Sequence, residues 1–518
     1  MDRCRARVVI VVAFAATLLI APAASASPSP QAHQTSVLAD IGGAPVGQRM
    51  PLGFVGVSVE YGALYTYAGR NPDALDPVLL ALLRQLAPGQ APVLRIGGDS
   101  ADATWWPVRG AIAPGGVDYR LTPGWLATAR ALARTLGARL VMGINLAGDR
   151  PALAAAEARA VLAGIGRRYI EALEIGNEPD LYGGLAWYVD LQGQTFQARR
   201  PGYDLADFTR DISRWRAALP RVPLAGPALS GPGWMSGLGS FLAAEPGLGV
   251  VTYHRYPMIA CVSDPTSPAY PSIANMLADS STTGLAEPVA SYVALAHARG
   301  LPFRIGELNS AACEGRAGVS DTFASALWVL DALFAFASVG VDGVNVHTLP
   351  GAAYELFTIT HTRSGWQAFV HPEYYGMLMF AQAFPAGAQL LPVSAPSGPV
   401  KIWATRDSDS VVRVVLINMD TTADHTVVVQ MPASAPAATL EWLKAPSAAA
   451  TTGVTLGGQT FGEQTRTGSL AGPSTTAAVT PAQGGYSIDL PAASATLLTQ
   501  STSGSGGVAP GPSAGAAR

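Results

Sequence analysis

Short apolar segments that end in polar or glycine residues recur along the first two thirds of this 518-residue chain. Each segment has the length of a β-strand and is bounded by turn-forming residues. Between them, stretches such as 76–86, 123–136 and 154–165 repeat apolar residues every three or four positions, which predicts amphipathic helices. The predicted strands span residues 54–61, 92–100, 139–147, 172–180, 223–230, 250–257, 302–310 and 341–348.

Eight strands that alternate with helices predict an α/β protein built on a (β/α)8 TIM barrel. The competing fold is an open, doubly wound sheet. No GxGxxG motif follows the first predicted strand, as a dinucleotide site would require, and no GxxxxGK[ST] motif occurs anywhere in the sequence. The pattern therefore favours the barrel.

Beyond residue 384 the helical pattern stops, and β-rich runs alternate with turns rich in Ala, Pro, Ser and Gly. This predicts a C-terminal β-sandwich with strands at 400–405, 411–419, 426–431, 439–444 and 486–498. We expect residues 35–41, within the N-terminal segment 27–50, to add an edge strand to it. The predicted domains are the catalytic barrel at 51–383, the β-sandwich at 384–500 and a flexible tail at 501–518.

The first 26 residues have the pattern of an export signal. A basic stretch up to Arg7 precedes an apolar run from Val8 to Ala21, and residues 24–26 (ASA) have the small residues of a cleavage site. Removing residues 1–26, with one acidic and three basic side chains, changes the formal net charge from −3 to −5. We therefore expect a secreted, mildly acidic protein.

Charge and hydropathy narrow the classes of partner. The only lysines are Lys401 and Lys444, and no basic run survives cleavage, so the sequence predicts no nucleic-acid partner. The apolar stretch 324–341 is long enough to span a membrane. Asp331 lies at its centre, and a charge at mid-bilayer costs roughly 2.5–3.5 kcal/mol, so we expect a buried barrel helix and no membrane span in the mature chain.

Three cysteines occur, and Cys4 leaves with the signal peptide. We expect Cys261 and Cys313 to form a disulfide, because exported chains seldom keep free thiols. The alternative is a pair of buried thiols. Cys261 follows the sixth predicted strand and Cys313 the seventh, so a bridge would stiffen two loops at the barrel mouth.

Two glutamates stand at the ends of predicted strands. Glu178 closes the fourth strand and Glu307 the seventh, and functional side chains of such barrels come from the C-terminal ends of strands. Glycoside hydrolysis needs one protonated carboxyl to act as an acid and one carboxylate to attack the anomeric carbon. We expect them about 5–5.5 Å apart, the spacing of retaining enzymes. The alternative is that Glu178 precedes a proline in a turn and Glu307 is a solvated loop end.

Five motifs together give a more specific signal. In combination they resemble the heparanase and β-glucuronidase family, glycoside hydrolase family 79, in a bacterial secreted form. The resemblance implies that Glu178 is the general acid/base, that Glu307 is the nucleophile and that Asn177 hydrogen-bonds the sugar 2-hydroxyl. The motifs are GNEPD at 176–180, LRIGGD at 94–99, VTYHRYP at 251–257, IGELNS at 305–310 and SDTFASALWVLD at 320–331.

The resemblance implies further contacts. Tyr256 would hydrogen-bond the nucleophile and keep it ionised, while Glu60 and Asp99 would hold sugar hydroxyls. Gly351 and Tyr354, in the loop after strand eight, would bind the uronic carboxylate through a backbone amide and a phenol. Ordinary hydration is the alternative role for these side chains.

Structural roles are predicted for the other polar residues in or near the strands. Arg95 and Glu174 lie within strands and are expected to face inward as a paired charge. His254 and His347 end strands six and eight; without HExxH or CxxC spacing we predict hydrogen-bonded lining and no metal site. Ser100 follows no nucleophile-elbow pattern, which disfavours acyl hydrolysis.

The sequence thus predicts a secreted retaining exo-β-glucuronidase that acts without a cofactor. Its expected substrates are terminal β-linked glucuronic or 4-O-methylglucuronic acid on a glycan or a small glucuronide. One alternative is another retaining barrel glycosidase, of β-glucosidase or β-xylosidase type. The other is a non-catalytic carbohydrate-binding protein.

Overall fold

A closed barrel of eight parallel strands is the centre of the computed structural model, which describes residues 36–431, 437–482 and 485–500. This confirms the predicted fold class. The predicted signal peptide, 1–26, and the predicted tail, 501–518, lie outside the described residues. In chain order the barrel strands are Val55–Glu60, Val93–Gly97, Arg139–Ile144, Ile170–Ile175, Leu224–Leu229, Leu248–Arg255, Phe303–Leu308 and Gly343–Thr348.

Each barrel strand pairs in parallel with the next along the chain. The eighth strand closes the ring on the first, where Val344 lies opposite Val55 and Thr348 opposite Val59. Strands two, five, seven and eight are buried at every residue, because helices cover their outer face while their inner side chains fill the barrel.

Helices connect the strands, and their ends follow from local sequence. Thr122 caps Pro123–Leu136 by accepting a hydrogen bond from the backbone N–H of Trp125, and Gly137 ends that helix in the left-handed conformation. The longer helices are Pro77–Leu86, Pro123–Leu136, Pro151–Val161, Leu205–Ala218, Ala290–His297, Phe323–Ser338 and Pro372–Ala383. The shorter helical segments are Ala63–Ala68, Asp99–Ala103, Leu162–Gly166, Arg167–Tyr169, Pro179–Leu181, Pro232–Met235, Leu238–Ala244, Ile273–Met276, Asp279–Ser281, Thr283–Ala286 and Glu287–Val289.

The apolar stretch with Asp331 forms a buried barrel helix, Phe323–Ser338. The Asp331 carboxylate accepts a hydrogen bond from the indole N–H of Trp403, 2.6 Å away. Trp403 belongs to the C-terminal sheets and also stacks on Phe334, with ring centroids 5.5 Å apart. These contacts hold the barrel against the sheets. Among the described residues, no helix combines the length and hydropathy needed to cross a membrane.

Two sheets form the C-terminal β-sandwich, and buried side chains such as Leu416, Val429 and Leu498 fill the space between them. The smaller sheet has the order Val393–Ser394, Val37–Ile41, His425–Gln430 and Gly485–Leu490. The larger sheet has the order Gln389–Leu391, Val400–Arg406, Val412–Asn418, Ser494–Gln500, Ala438–Lys444 and Thr455–Leu456, and Ala477–Val479 also pairs with Ala438–Lys444.

The sandwich differs from the predicted pattern in two places. The run predicted as one strand at 486–498 is two strands, which lie in different sheets and are separated by Pro491, a residue without a backbone N–H to donate. The strand expected at the edge, Val37–Ile41, pairs on both sides and therefore lies inside the smaller sheet.

Short strand pairs lie in the segments that follow the barrel strands, at the mouth of the barrel. They shape the loops around the C-terminal ends of the strands, where sites of this fold are built. The pairs are Thr104–Trp105 with Tyr119–Arg120, Tyr188–Val189 with Thr195–Phe196, Met258–Ile259 with Ala311–Ala312, and Phe357–Thr362 with Gly365–Val370.

Candidate active site

The two predicted catalytic glutamates meet at the barrel mouth. Glu307 lies in strand seven, one residue before its end, and Glu178 lies three residues beyond strand four. The backbone at Glu178 is left-handed, with φ of 48°, and its N–H donates to the carbonyl of Ala228 on strand five. This local turn aims the side chain across the mouth. A carboxylate oxygen of Glu178 lies within 4.8 Å of a carboxylate oxygen of Glu307.

The surroundings of Glu307 favour its ionised form. The Tyr256 hydroxyl donates to one carboxylate oxygen at 2.7 Å, and the Arg95 guanidinium donates to the other at 2.6 Å. Burial alone would raise the pKa of Glu307; the charges of His347, His254 and Arg95, with the Tyr256 hydrogen bond, outweigh burial and hold the pKa well below its usual range. Burial lowers the pKa of His347, whereas the pKa of His254 is raised despite its burial and Arg95 carries a permanent charge.

The surroundings of Glu178 favour its protonated form. Burial raises the pKa of Glu178 to about 7, although a hydrogen bond with His254 opposes the rise. The Nδ1 atom of His254 lies 3.0 Å from the Glu178 carboxylate, and the histidine side chain is fully buried. The two carboxyl groups are therefore driven in opposite directions, one towards the acid and the other towards the carboxylate.

Arg95 makes more contacts than the sequence analysis assigned to it. It pairs with Glu174 at 2.6 Å, as predicted, but it also contacts Glu307 and donates to the Asn177 side chain at 2.8 Å. The only feature of the sequence that pointed to these contacts was an arginine inside a predicted strand. Its contact with Glu307 was missed because 212 residues separate the two in sequence.

The remaining predicted polar contacts form a continuous rim. The Asn177 side-chain N–H donates to Asp99 at 2.9 Å. The Glu60 carboxylate accepts from the backbone N–H groups of Asp99 at 3.0 Å and Ser100 at 2.8 Å. Burial raises the pKa of Glu60 to about 8 and also raises the pKa of Asp99. Glu60 and Asp99 both line the cavity that contains the glutamate pair.

That cavity has a volume of about 780 Å³ and is lined by carboxyl, hydroxyl and aromatic side chains. Among the described residues, no lysine or arginine lines it. Its lining residues are Glu60, Gly62, Ala63, Thr66, Asp99, Ser100, Ala103, Asp118, Tyr119, Glu178, Tyr256, Glu307, Ala312, Cys313, Glu314, His347, Leu349, Pro350 and Tyr354.

Of the two residues predicted to bind the substrate from the loop after strand eight, one lines the cavity. Tyr354 lines the cavity, and its hydroxyl forms no hydrogen bond within the described part of the chain, so it is free to receive a ligand. Gly351 is outside the lining. Its N–H points to the Glu355 carboxylate, 3.3 Å away, and the contact of this amide with a uronic carboxylate stays a prediction.

A buried aspartate outside the predicted site residues fixes the loop that carries Glu178. The Asp102 carboxylate accepts hydrogen bonds from the backbone N–H groups of Leu146 at 2.9 Å, Ala147 at 3.0 Å and Asn177 at 3.1 Å, and from the Tyr182 hydroxyl. It thus ties the segments after strands two, three and four together beside Glu178. No local motif marks this residue, because its partners come from distant loops.

The predicted disulfide between Cys261 and Cys313 is present. Cys313 lines the cavity, and the bridge links the segment after strand six to the segment after strand seven. Because Tyr256 directly follows strand six and Glu307 lies near the end of strand seven, the bridge restrains the loops on the Glu307 side of the cavity.

One group of side chains has the spacing of metal ligands. Single ligand atoms of Glu178, His254 and Glu307 lie within 4.8 Å of one another. Glu178 and His254 are paired with each other, and Glu307 holds Tyr256 and Arg95. A cation there would compete with Arg95 for Glu307, so the arrangement fits acid and nucleophile chemistry better than metal binding.

Comparisons with known proteins agree with the geometry. Residues 402–497 match the family model described as the glycosyl hydrolase family 79 C-terminal beta domain. The chain is 25% identical over 438 residues to a curated β-glucuronidase of Neurospora crassa, a match that covers 74% of this chain and 75% of that protein.

Solved structures show the same fold. A 4-O-α-L-rhamnosyl-β-D-glucuronidase of Fusarium oxysporum 12S matches with a TM-score of 0.66 at 20% identity, over 89% of this chain and all of that chain. A GH51 arabinofuranosidase of Xanthomonas axonopodis pv. citri matches with a TM-score of 0.63 at 17% identity, over 90% of this chain and 99% of that one. The solved structures show the fold, while the family model and the curated relative confirm the resemblance to glycoside hydrolase family 79 and the prediction of a glycoside hydrolase.

Proposed function

We propose that this chain, with its resemblance to glycoside hydrolase family 79, is a secreted, retaining exo-β-glucuronidase with Glu178 as general acid/base and Glu307 as nucleophile. The observation that carries the proposal is the short separation of the two carboxyl groups, within 4.8 Å between their oxygens, combined with opposite shifts of their pKa values. Inverting enzymes hold their carboxyl groups roughly 6.5–9.5 Å apart, to leave room for an attacking water.

In the first step, the Glu307 carboxylate attacks the anomeric carbon while the Glu178 carboxyl donates its proton to the leaving oxygen. The bond between the anomeric carbon and the leaving oxygen breaks, and an ester between the sugar and Glu307 forms. Tyr256 and Arg95 keep Glu307 ionised and orient it for the attack.

In the second step, the Glu178 carboxylate takes a proton from water, and the hydroxide attacks the anomeric carbon to release Glu307. A pKa of about 7 suits both tasks, because the group must be protonated in one step and ionised in the next. Two inversions at one carbon give net retention.

The choice of a uronic acid rests on relatives and on one free phenol. The Neurospora crassa relative is named a β-glucuronidase and the Fusarium oxysporum structure a rhamnosyl-β-D-glucuronidase. Within the described residues Tyr354 offers a hydroxyl without a hydrogen-bond partner, and burial raises the pKa of Glu60 to about 8, which favours its uncharged form and reduces its repulsion of an anionic ligand.

A second candidate is a retaining glycosidase for a neutral sugar. Six carboxyl side chains and no lysine or arginine line the cavity within the described residues, which disfavours an anionic ligand. The six are Glu60, Asp99, Asp118, Glu178, Glu307 and Glu314.

Release of 4-nitrophenol from the β-D-glucuronide, β-D-glucoside, β-D-xyloside and α-L-arabinofuranoside distinguishes the two candidates. We expect selective cleavage of the glucuronide, and faster cleavage of a neutral glycoside would support the second candidate. Glu307→Gln should abolish turnover and Glu178→Gln should reduce it strongly. Glu171→Gln is the matched control, because Glu171 is the second residue of strand four, at the opposite end of the barrel, and pairs with Arg139.

The mechanism has its own test. A 2-deoxy-2-fluoro glycosyl fluoride of the preferred sugar should add one sugar mass to the wild type, located on Glu307 by peptide mapping. Proton NMR of the first product should show the β-anomer. Initial release of the α-anomer would contradict the retaining mechanism.

A further inference from the structure

Two loops next to the catalytic cavity expose an unusual amount of apolar surface. We define the apolar platform as Ile112, from the loop after strand two, with Leu185, Trp187, Tyr188 and Leu191 from the loop after strand four. Ile112 is 89% exposed and Leu191 is fully exposed. Among the described residues ten large aliphatic side chains are exposed, and half of them lie on these two loops. Clustered exposed apolar residues mark binding surfaces.

The two loops pack directly against each other through the aromatic pair. Tyr188 stacks on Phe196 with ring centroids 4.7 Å apart, and Trp187 meets the Tyr188 ring edge-on at 5.4 Å. An ideal Cβ on Gly116 would lie 2.7 Å from Tyr188 and 3.0 Å from Trp187, so only glycine allows this approach. The two loops are therefore packed against each other at Gly116.

The two platform loops also carry residues that line the catalytic cavity. Asp118 and Tyr119 follow Gly116 by two and three residues, and both line the cavity together with Glu178. The same loop that begins at Glu178 carries Trp187. An acid that protonates the leaving oxygen must face the leaving group, so that group extends over the side of the mouth on which Glu178 lies.

We propose that the apolar platform is an aglycone subsite, which binds a sugar ring of a neutral glycan leaving group by stacking on Trp187. This inference rests on the proposed function, since it takes Glu178 as the acid. Aromatic side chains provide large, rigid contact areas, and a pyranose presents an apolar C–H face to them.

The charges on the strand-four loop agree with a neutral ligand. Arg199 is held by Asp211 at 2.9 Å and Arg200 by Asp207 at 2.6 Å. Their guanidinium groups are therefore engaged within the protein, and the loop does not offer the cluster of free cations that a sulfated chain would need.

The test compares leaving groups on one glycone. Methyl β-D-glucuronide has a minimal leaving group, and a panel of β-D-glucuronosides of cellobiose, lactose and xylobiose presents neutral disaccharides. We expect kcat/KM of the wild type to be at least tenfold higher for the best panel member than for the methyl glycoside. Trp187→Ala should remove most of that ratio and change cleavage of the methyl glycoside less than twofold.

Two further variants guard against a folding artefact. Ile112→Ser combined with Leu191→Ser changes only exposed side chains and should lower the ratio about threefold to fivefold. Trp442→Ala is the matched control, because Trp442 is a half-buried tryptophan on the sandwich, beneath Lys444, and its removal should leave the ratio unchanged. An unchanged ratio in Trp187→Ala, or no panel member better than the methyl glycoside, overturns the proposal.

Other outcomes separate this proposal from the proposed function. If a different glycone is cleaved, the glucuronidase assignment fails, and the same leaving-group series on that glycone decides the subsite. If no glycone is cleaved, titration calorimetry with the free disaccharides decides it, and equal binding by wild type and Trp187→Ala overturns it. Light scattering tests whether the platform is a self-association surface instead. If the wild type is a dimer, the double serine variant is a monomer and the kcat/KM ratio is unchanged, the platform serves self-association and the proposal is overturned.

Discussion

The hydrogen bond between His254 and Glu178 should set the upper pH limit of activity. The first step needs Glu178 protonated, so kcat/KM falls as pH rises through the pKa of this group, about 7. His254 lowers that pKa, because its Nδ1 interacts with the ionised carboxylate at 3.0 Å. Replacing His254 by Phe removes the donor and leaves burial unopposed, so the pKa of Glu178 must rise.

The size of the shift follows from the hydrogen bond. A hydrogen bond to a charged group contributes roughly 1.5–3 kcal/mol, and about 1.36 kcal/mol corresponds to one pKa unit. We therefore expect the basic limb of the kcat/KM profile to move upward by about 1 to 2 units, from a midpoint near 7 to one between about 8 and 9. His254→Asn keeps an N–H donor near the carboxylate and should give a smaller upward shift.

The assay is kcat/KM between pH 4 and 10 on the substrate with the fastest turnover, with thermal unfolding of each variant recorded at every pH. Glu178→Gln should lose the basic limb altogether, which links the limb to this carboxyl. A basic limb that stays in place or moves to lower pH in a folded His254→Phe protein would refute the reasoning, because the histidine would then not be stabilising the Glu178 carboxylate.

Three further changes test the surroundings of the site. Tyr256→Phe removes a donor that orients the Glu307 carboxylate and helps keep its pKa low, so kcat/KM at pH 7 should fall by about tenfold, and an unchanged kcat/KM would contradict the contact. Replacing Cys261 and Cys313 together by Ser should lower the free energy of unfolding by about 2–4 kcal/mol in urea titrations, since the bridge closes a sequence separation of 52; equal stability of the variant and the reduced wild type is the control. Asp102→Asn leaves one buried backbone N–H without its acceptor and should lower kcat about tenfold with little change in KM; a rise in KM alone would contradict a positioning role.

The tertiary structure also determines which partners the predicted site residues contact. The sequence predicts Arg95 as a structural partner of Glu174, whereas its guanidinium also holds Glu307. The expected amide donor of Gly351 is directed to Glu355. Both outcomes depend on side-chain directions across the barrel, which hydrophobic periodicity does not report.

The sequence by itself determined the architecture and which candidate catalytic side chains stand at the barrel mouth. Apolar runs of strand length, helical spacing between them and the glutamates Glu178 and Glu307 at strand ends are local patterns, and the barrel topology places strand ends at one mouth. Only the tertiary structure decided the direction in which burial and charge shift the pKa values of the two glutamates, and the shape of the mouth. These depend on contacts such as Arg95 to Glu307, 212 residues apart, and on Gly116 packed against Trp187, because burial and charge act through space rather than along the chain.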